Sequence, residues 1–269
     1  MSRSRRPSIE VAHRLSSASA SSPAELKCAL VGCGRLVQRS AGAGFSRTHC
    51  RYHVQFKNRH GSYWKGTYTA AHLAPYRKAV RKFLSAHPAQ RAGGLDSIWL
   101  MCLGGNYMAV LAARSRSPDV KASAALARLR DIGVDRLRIL EAYLAVCAAV
   151  EDDPAKPGSD TEEYRRVQAA KAVHRLASGE GRDYGEYGRS YRYSRSSGLM
   201  LRHLGEALDE ACGTLARWSM AKILEEKRAA DAARWAALEA KRQSDEVANA
   251  ERWKDAVAAV DRLFPVEAS

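Results

Sequence analysis

Cys28, Cys33, Cys50 and His53 form the pattern C-x4-C, a sixteen-residue gap, then C-x2-H. Thiolate and imidazole are the donors of a tetrahedral zinc ion, and each half of the pattern suits one for its own reason. Gly32 and Gly34 flank Cys33, so the backbone can curl tightly enough to aim two sulfurs at one cation. Cys50 and His53, three residues apart at the start of an expected helix, share a face. Four protein ligands leave no position for a catalytic water, so the expected cofactor is structural Zn2+. His49 and His60 are alternative fourth ligands, and free cysteines in a basic loop are the bland alternative. A segment this small and basic has almost no core of its own, so metal binding of order ~10 kcal/mol would be what folds it.

A knuckle, a hairpin in the Gly42- and Gly44-containing gap, and helix-borne ligands together resemble treble-clef zinc fingers, from Cys28 to Gly61 only. The resemblance implies a small structural zinc module. His53, Asn58 and His60 beside cysteines are also loosely similar to HNH nucleases, which implies a divalent metal and hydrolysis. The departures are serious: the acid or histidine pair of a preceding strand is missing. Nor does any carboxylate lie between Leu26 and Leu95 to hold Mg2+.

Charge points to the partner of such a module. The chain has 44 Lys and Arg against 29 Asp and Glu, a net +15 over 269 residues. Residues 1–91 hold 17 of the bases and 2 of the acids, which leaves 27 of each for the remainder. An acid-free stretch cannot neutralise itself and should attract a polyanion. Arg35, Arg39, Arg47, Arg51, Lys57, Arg59 and Lys65 lie in or beside the module, interleaved with Tyr63, Trp64 and Tyr68. Basic residues pair with phosphate and rings stack on bases, although these rings could equally seal the module against the rest of the chain. Arg77, Lys78, Arg81 and Lys82 extend the cationic surface along the next helix.

The elements that position these groups read as mainly α. Residues 1–24 are a Ser-, Ala- and Arg-rich tail, faintly like a transit peptide, and 25–62 form the zinc module. Residues 63–178 form a basic amphipathic helix and a helical domain. Within it, Leu73, Tyr76, Val80, Phe83 and Leu84 recur at helical spacing. Leu95 to Ala113 is a buried helix broken at Gly104 and Gly105, too short and interrupted to span a membrane. Ser117 and Pro118 start a helix to Asp131, Asp135 one to Val150, and Ser159 with Glu162 a capping box for one to about Ala177. A helix-turn-helix over 118–150 is disfavoured, because its second helix is apolar and ends in Glu151, Asp152 and Asp153. Residues 179–198 are a Gly-, Tyr- and Arg-rich linker, similar in composition to RGG-type single-strand binders. In 199–269, Leu201, Leu204, Leu208, Ala211, Leu215 and Trp218 keep a heptad spacing, a coiled-coil seam through which two copies could pair. A long exposed helix follows, which the loss of register at Lys222 could break.

Six cysteines without a disulfide framework suit a reducing, cytoplasmic setting, and the Ala and Arg usage suits a GC-rich bacterium. Phosphate-loop and nucleophile-elbow fingerprints do not occur. The expected protein is therefore a non-enzymatic nucleic-acid binder, DNA before RNA. The alternative is a helical scaffold gripping an acidic protein, with the HNH-like nuclease a distant third.

Overall fold

The computed structural model describes residues 27–37, 46–104, 117–177, 182–183, 189–190 and 197–263. The fold is mainly α, as expected. Helix α1 (Arg51–His60) belongs to the cysteine and histidine module, and α2 (Ala70–Ala86) begins at Thr69, whose hydroxyl accepts from the His72 N–H at 3.1 Å. Helix α3 (Pro88–Ile98) starts on a proline, whose missing N–H costs nothing in a first turn. It runs into a π-helical turn, Trp99–Leu103, ahead of the expected glycine break, of which Gly105 lies outside the described residues.

Helix α4 (Pro118–Asp131) and α5 (Arg136–Asp152) follow the expected bounds closely. Asp135 caps α5 by accepting from the Leu137 N–H at 2.9 Å. Helix α6 (Thr161–His174) departs in detail: Ser159 sits in a 3-10 turn, Gly158–Asp160, and Asp160 takes the cap position with no side-chain cap bond. The capping box is therefore not formed. Helix α7 (Gly198–Leu263) is one unbroken helix of 66 residues, roughly 100 Å long. Lys222 does not break it, because a polar residue ends an apolar stripe without removing any backbone hydrogen bond. Extended pairing among the described residues is confined to a Lys27–Leu36 bridge and to Arg182–Asp183 against Arg189–Ser190.

Helix α5 is the centre of the bundle: every residue from Ile139 to Val150 is buried, against α2, α6 and the first half of α7. Four alanines in that run let neighbouring helices approach, while Tyr143 and Leu144 fill the space between them. The seam residues Leu201, Leu204 and Leu208 are buried in this same core, and Trp218, half exposed, lies near Phe83 and His87. The apolar stripe expected to join two copies is thus largely filled by the chain's own helices. A heptad reads the same whether its partner is another chain or another helix of the same one. No helix among the described residues is long and apolar enough to cross a membrane.

Candidate metal centre and basic helix face

Lys27 bridges Leu36, and the Cys28 N–H donates to the Arg35 carbonyl at 2.9 Å, closing a tight knuckle around Cys33. Its reversal is made at Gly32, where φ is 81°, a left-handed conformation that side chains resist. The Ala29 N–H then donates to the Thr48 carbonyl at 2.8 Å, laying the knuckle against the segment that enters α1. Cys50 is the N-cap of that helix and His53 lies in its first turn. The Cys50 thiol makes no capping bond, so it is left for the cluster. The hairpin expected between the halves falls largely on residues 38–45, outside the described residues.

The four candidate ligand atoms lie within 4.8 Å of one another. His53 Nδ1 is 3.3 Å from Cys28 Sγ and 3.4 Å from Cys50 Sγ, and Cys33 Sγ is 4.0 Å from Cys50 Sγ. Cys28, Cys50 and His53 are buried. Burial by itself would push the Cys28 thiol up, but the N–H groups of Cys50 and Leu30, aided by the His53 and Cys50 side chains, outweigh it. They hold that thiol at about 6. Cys33 is pushed the other way: the Arg35 N–H favours its thiolate, yet burial and the neighbouring Cys28 and Cys50 sulfurs win. One thiolate thus forms readily and opposes the next, a conflict that a bound cation would remove.

Both alternative histidines are committed elsewhere. His49 stacks on Tyr63 with centroids 3.6 Å apart, and its Nδ1 lies 2.9 Å from the Thr48 hydroxyl. His60 Nδ1 lies 2.9 Å from the Thr67 hydroxyl and 3.1 Å from Lys171 Nζ. Of the three residues in the nuclease-like pattern, His53 thus lies among the sulfurs, His60 contacts Thr67 and Lys171, and Asn58 is exposed.

The expected phosphate-binding cations divide into two groups. Lys57 pairs with Asp160 at 2.6 Å and Glu163 at 3.4 Å, and Lys65 pairs with Asp153 while donating to the Ala155 carbonyl at 2.6 Å. Arg81 bonds the buried Glu141 at 2.9 Å, and Lys82 pairs with Glu226. These four are paired with carboxylates far along the chain: Lys57 and Lys65 are largely covered, whereas Arg81 and Lys82 remain 64% and 69% exposed. Arg35, Arg47, Arg51, Arg59, Arg77 and Lys78 have no carboxylate partner among the described residues, and Arg39 lies outside them.

Of the module's aromatics, Tyr68 is a seal: it is buried and donates to Asp153 at 2.7 Å, while Tyr164 donates to the Gly66 carbonyl at 2.7 Å. Tyr63 is held between His49 and Lys57, whose Nζ is 4.6 Å from its ring centroid. Trp64 is half exposed. Gly61, at φ 80°, is required where α1 meets α6, since a Cβ there would stand 2.7 Å from Tyr164 Cα.

The feature the charge count misses is the exposed face of α1. Arg51, Tyr52, Gln55, Asn58 and Arg59 are exposed, and at about 3.6 residues per turn they share one side. Arg35 joins them from the knuckle, its guanidinium 4.7 Å from the Tyr52 ring centroid. The opposite side carries His53, Lys57 and His60, which face the cluster and the bundle. Helical spacing in the sequence marks these five positions as one side, but nothing local says which side faces water.

No protein-family model, curated protein or solved structure matches the chain.

Proposed function

We propose that the module binds one structural zinc ion through Cys28, Cys33, Cys50 and His53, and that the side of α1 it exposes binds nucleic acid without catalysis. The single observation that carries the reading is that face: Arg51, Tyr52, Gln55, Asn58 and Arg59, with Arg35 alongside and no acid among them. Arginine pairs with phosphate and with guanine, and Gln and Asn pair with adenine. A helix of this composition is a reader of a DNA groove. The zinc assignment rests on ligand type and spacing. Sulfurs about 2.3 Å from a tetrahedral zinc stand ~3.8 Å apart, close to the 4.0 Å between Cys33 and Cys50. The ion's work would be to hold the knuckle, and with it Arg35, against α1.

The test couples metal content to a salt titration. Elemental analysis should find one zinc per chain, lost in Cys50→Ser. Affinity for duplex DNA should fall steeply with salt, and Arg51→Gln or Arg59→Gln should each reduce the log-log slope by about one. Lys57→Gln should leave the slope unchanged, its charge already being spent on Asp160. No measurable affinity at about 50 mM salt would overturn the DNA reading.

A second reading, in which the module grips an acidic protein, draws on the carboxylates that already hold Lys57 and Lys65. An acidic peptide that binds more tightly than DNA at equal salt would favour it.

A further inference from the structure

Past Lys227, which bonds Asp152 at 2.7 Å, α7 leaves the bundle. From Ala232 to Val257 every residue but Ala248 is exposed. Along this arm Trp235 and Trp253 are 70% and 72% exposed, with Leu238 and Val257 at 47% and 42%. The two tryptophans are eighteen residues apart, five whole turns, so they lie on one side of the helix about 27 Å from each other. Between them, on that side, come Leu238, Glu239, Arg242, Glu246, Asn249 and Ala250. Two large exposed indoles on one side of a rigid helix are the kind of anchor that a partner lying along it would cover.

Charge says which partner. From Arg228 to Val257 the arm has six basic and six acidic residues, so it draws neither a polyanion nor a polycation. It does complement itself. Reverse one copy against another about Ser244 and Trp235 comes level with the second copy's Trp253. Leu238 comes level with its Ala250, and Arg242 with its Glu246. The two-fold axis repeats each pair, as an isologous contact must. The parallel in-register alternative sets Arg242 on Arg242 and Glu246 on Glu246, which repel. Within one chain, Arg242 lies 3.6 Å from Glu246 and 3.9 Å from Glu239, exposed contacts of the weak kind that readily exchange for a partner.

We infer that this arm pairs with the arm of a second copy, antiparallel and centred on Ser244. The tryptophans lock the two ends of the shared segment and Arg242 pairs with the second copy's Glu246 in the middle. The two bundles then stand at opposite ends of one rod, each with its own exposed α1 face. The contact is distinct from the Leu201–Trp218 seam, most of which the bundle buries.

Sedimentation equilibrium on the full chain tests it. A concentration-dependent dimer is expected, and Trp235→Ser with Trp253→Ser should yield a monomer with an unchanged bundle melt. Arg242→Glu alone and Glu246→Arg alone should each weaken the dimer about tenfold, since two pairs are lost per dimer, and the double swap should recover most of it. Under mild oxidation, Leu238→Cys should cross-link only when Ala250→Cys is also present. A chain that stays monomeric at about 100 µM, a double swap as weak as the singles, or cross-linking by Leu238→Cys alone would each overturn the inference.

Discussion

The cysteine and histidine module and the helical bundle hold their shape by opposite means. Helix α1 buries one residue, His53, whereas α5 buries an unbroken run from Ile139 to Val150. In place of a core the module has a candidate metal cluster and carboxylates borrowed from the bundle: Asp160 and Glu163 on Lys57, and Asp153 on Lys65 and Tyr68. The lesson is that a charge excess in sequence is not a charge excess on the surface. Some of the front end's cations dock it, while Arg51 and Arg59 on the far side of α1 have no carboxylate partner among the described residues.

Metal removal should break the comparison most dramatically. With a chelator or Cys50→Ser, loss of binding of order ~10 kcal/mol should abolish hydrogen-exchange protection over 46–61 and leave 139–150 protected. If both regions lose protection together, the module is part of the bundle's core and the contrast is wrong.

The converse experiment is Leu144→Ala, at a site with no exposure. It should cost about 2–5 kcal/mol in urea unfolding while zinc content per folded chain stays the same. Loss of zinc from the folded variant would mean that the bundle builds the cluster.

Asp153→Asn should have a smaller effect, about 1–3 kcal/mol, because it weakens the acceptor shared by Lys65 and Tyr68 at the junction. Exchange should quicken over the module more than over α5; equal change in both would argue against docking through this residue.

The smallest expected effect is a pH dependence at His60. Burial, then Lys171 and Arg59, hold its imidazole at about 4, against about 6.5 in the unfolded chain. Between those values the unfolded chain takes up a proton that the folded chain refuses, so stability falls as pH drops from about 6.5 towards 4 and is level above. The urea midpoint of the parent should therefore fall between pH 7 and pH 5 by more than that of His60→Asn, which separates this group from acid release of metal. Parallel midpoints would show that His60 does not titrate in this way.

Much of the helical plan is legible locally. Pro118, Asp135 and the apolar periods of α2 and α5 place those helices within a residue or two, because caps and amphipathic spacing act over a single turn. The start of α3 carries little local signal, since Pro88 begins a segment with a weak apolar stripe. The acid cluster at the end of α5 was visible as an anionic end. Its role was not, because Asp152 and Asp153 bond Tyr76, Lys227, Lys65 and Tyr68 from three distant parts of the chain.

Residue spacing alone brings out Cys28, Cys33 and Cys50 and favours His53 over His49 and His60 as the fourth donor, since two cysteines on a glycine-flanked knuckle and an i,i+3 pair on a helix are short-range geometry. It also marks helices and the lopsided distribution of charge. Folding in three dimensions seated His53 among the sulfurs while engaging His49 and His60 elsewhere, paired Lys57, Lys65, Arg81 and Lys82 with carboxylates, and turned most of an apparent dimer seam inward. The four ion pairs join residues 60 to 144 positions apart, a proximity across the bundle that no local pattern encodes.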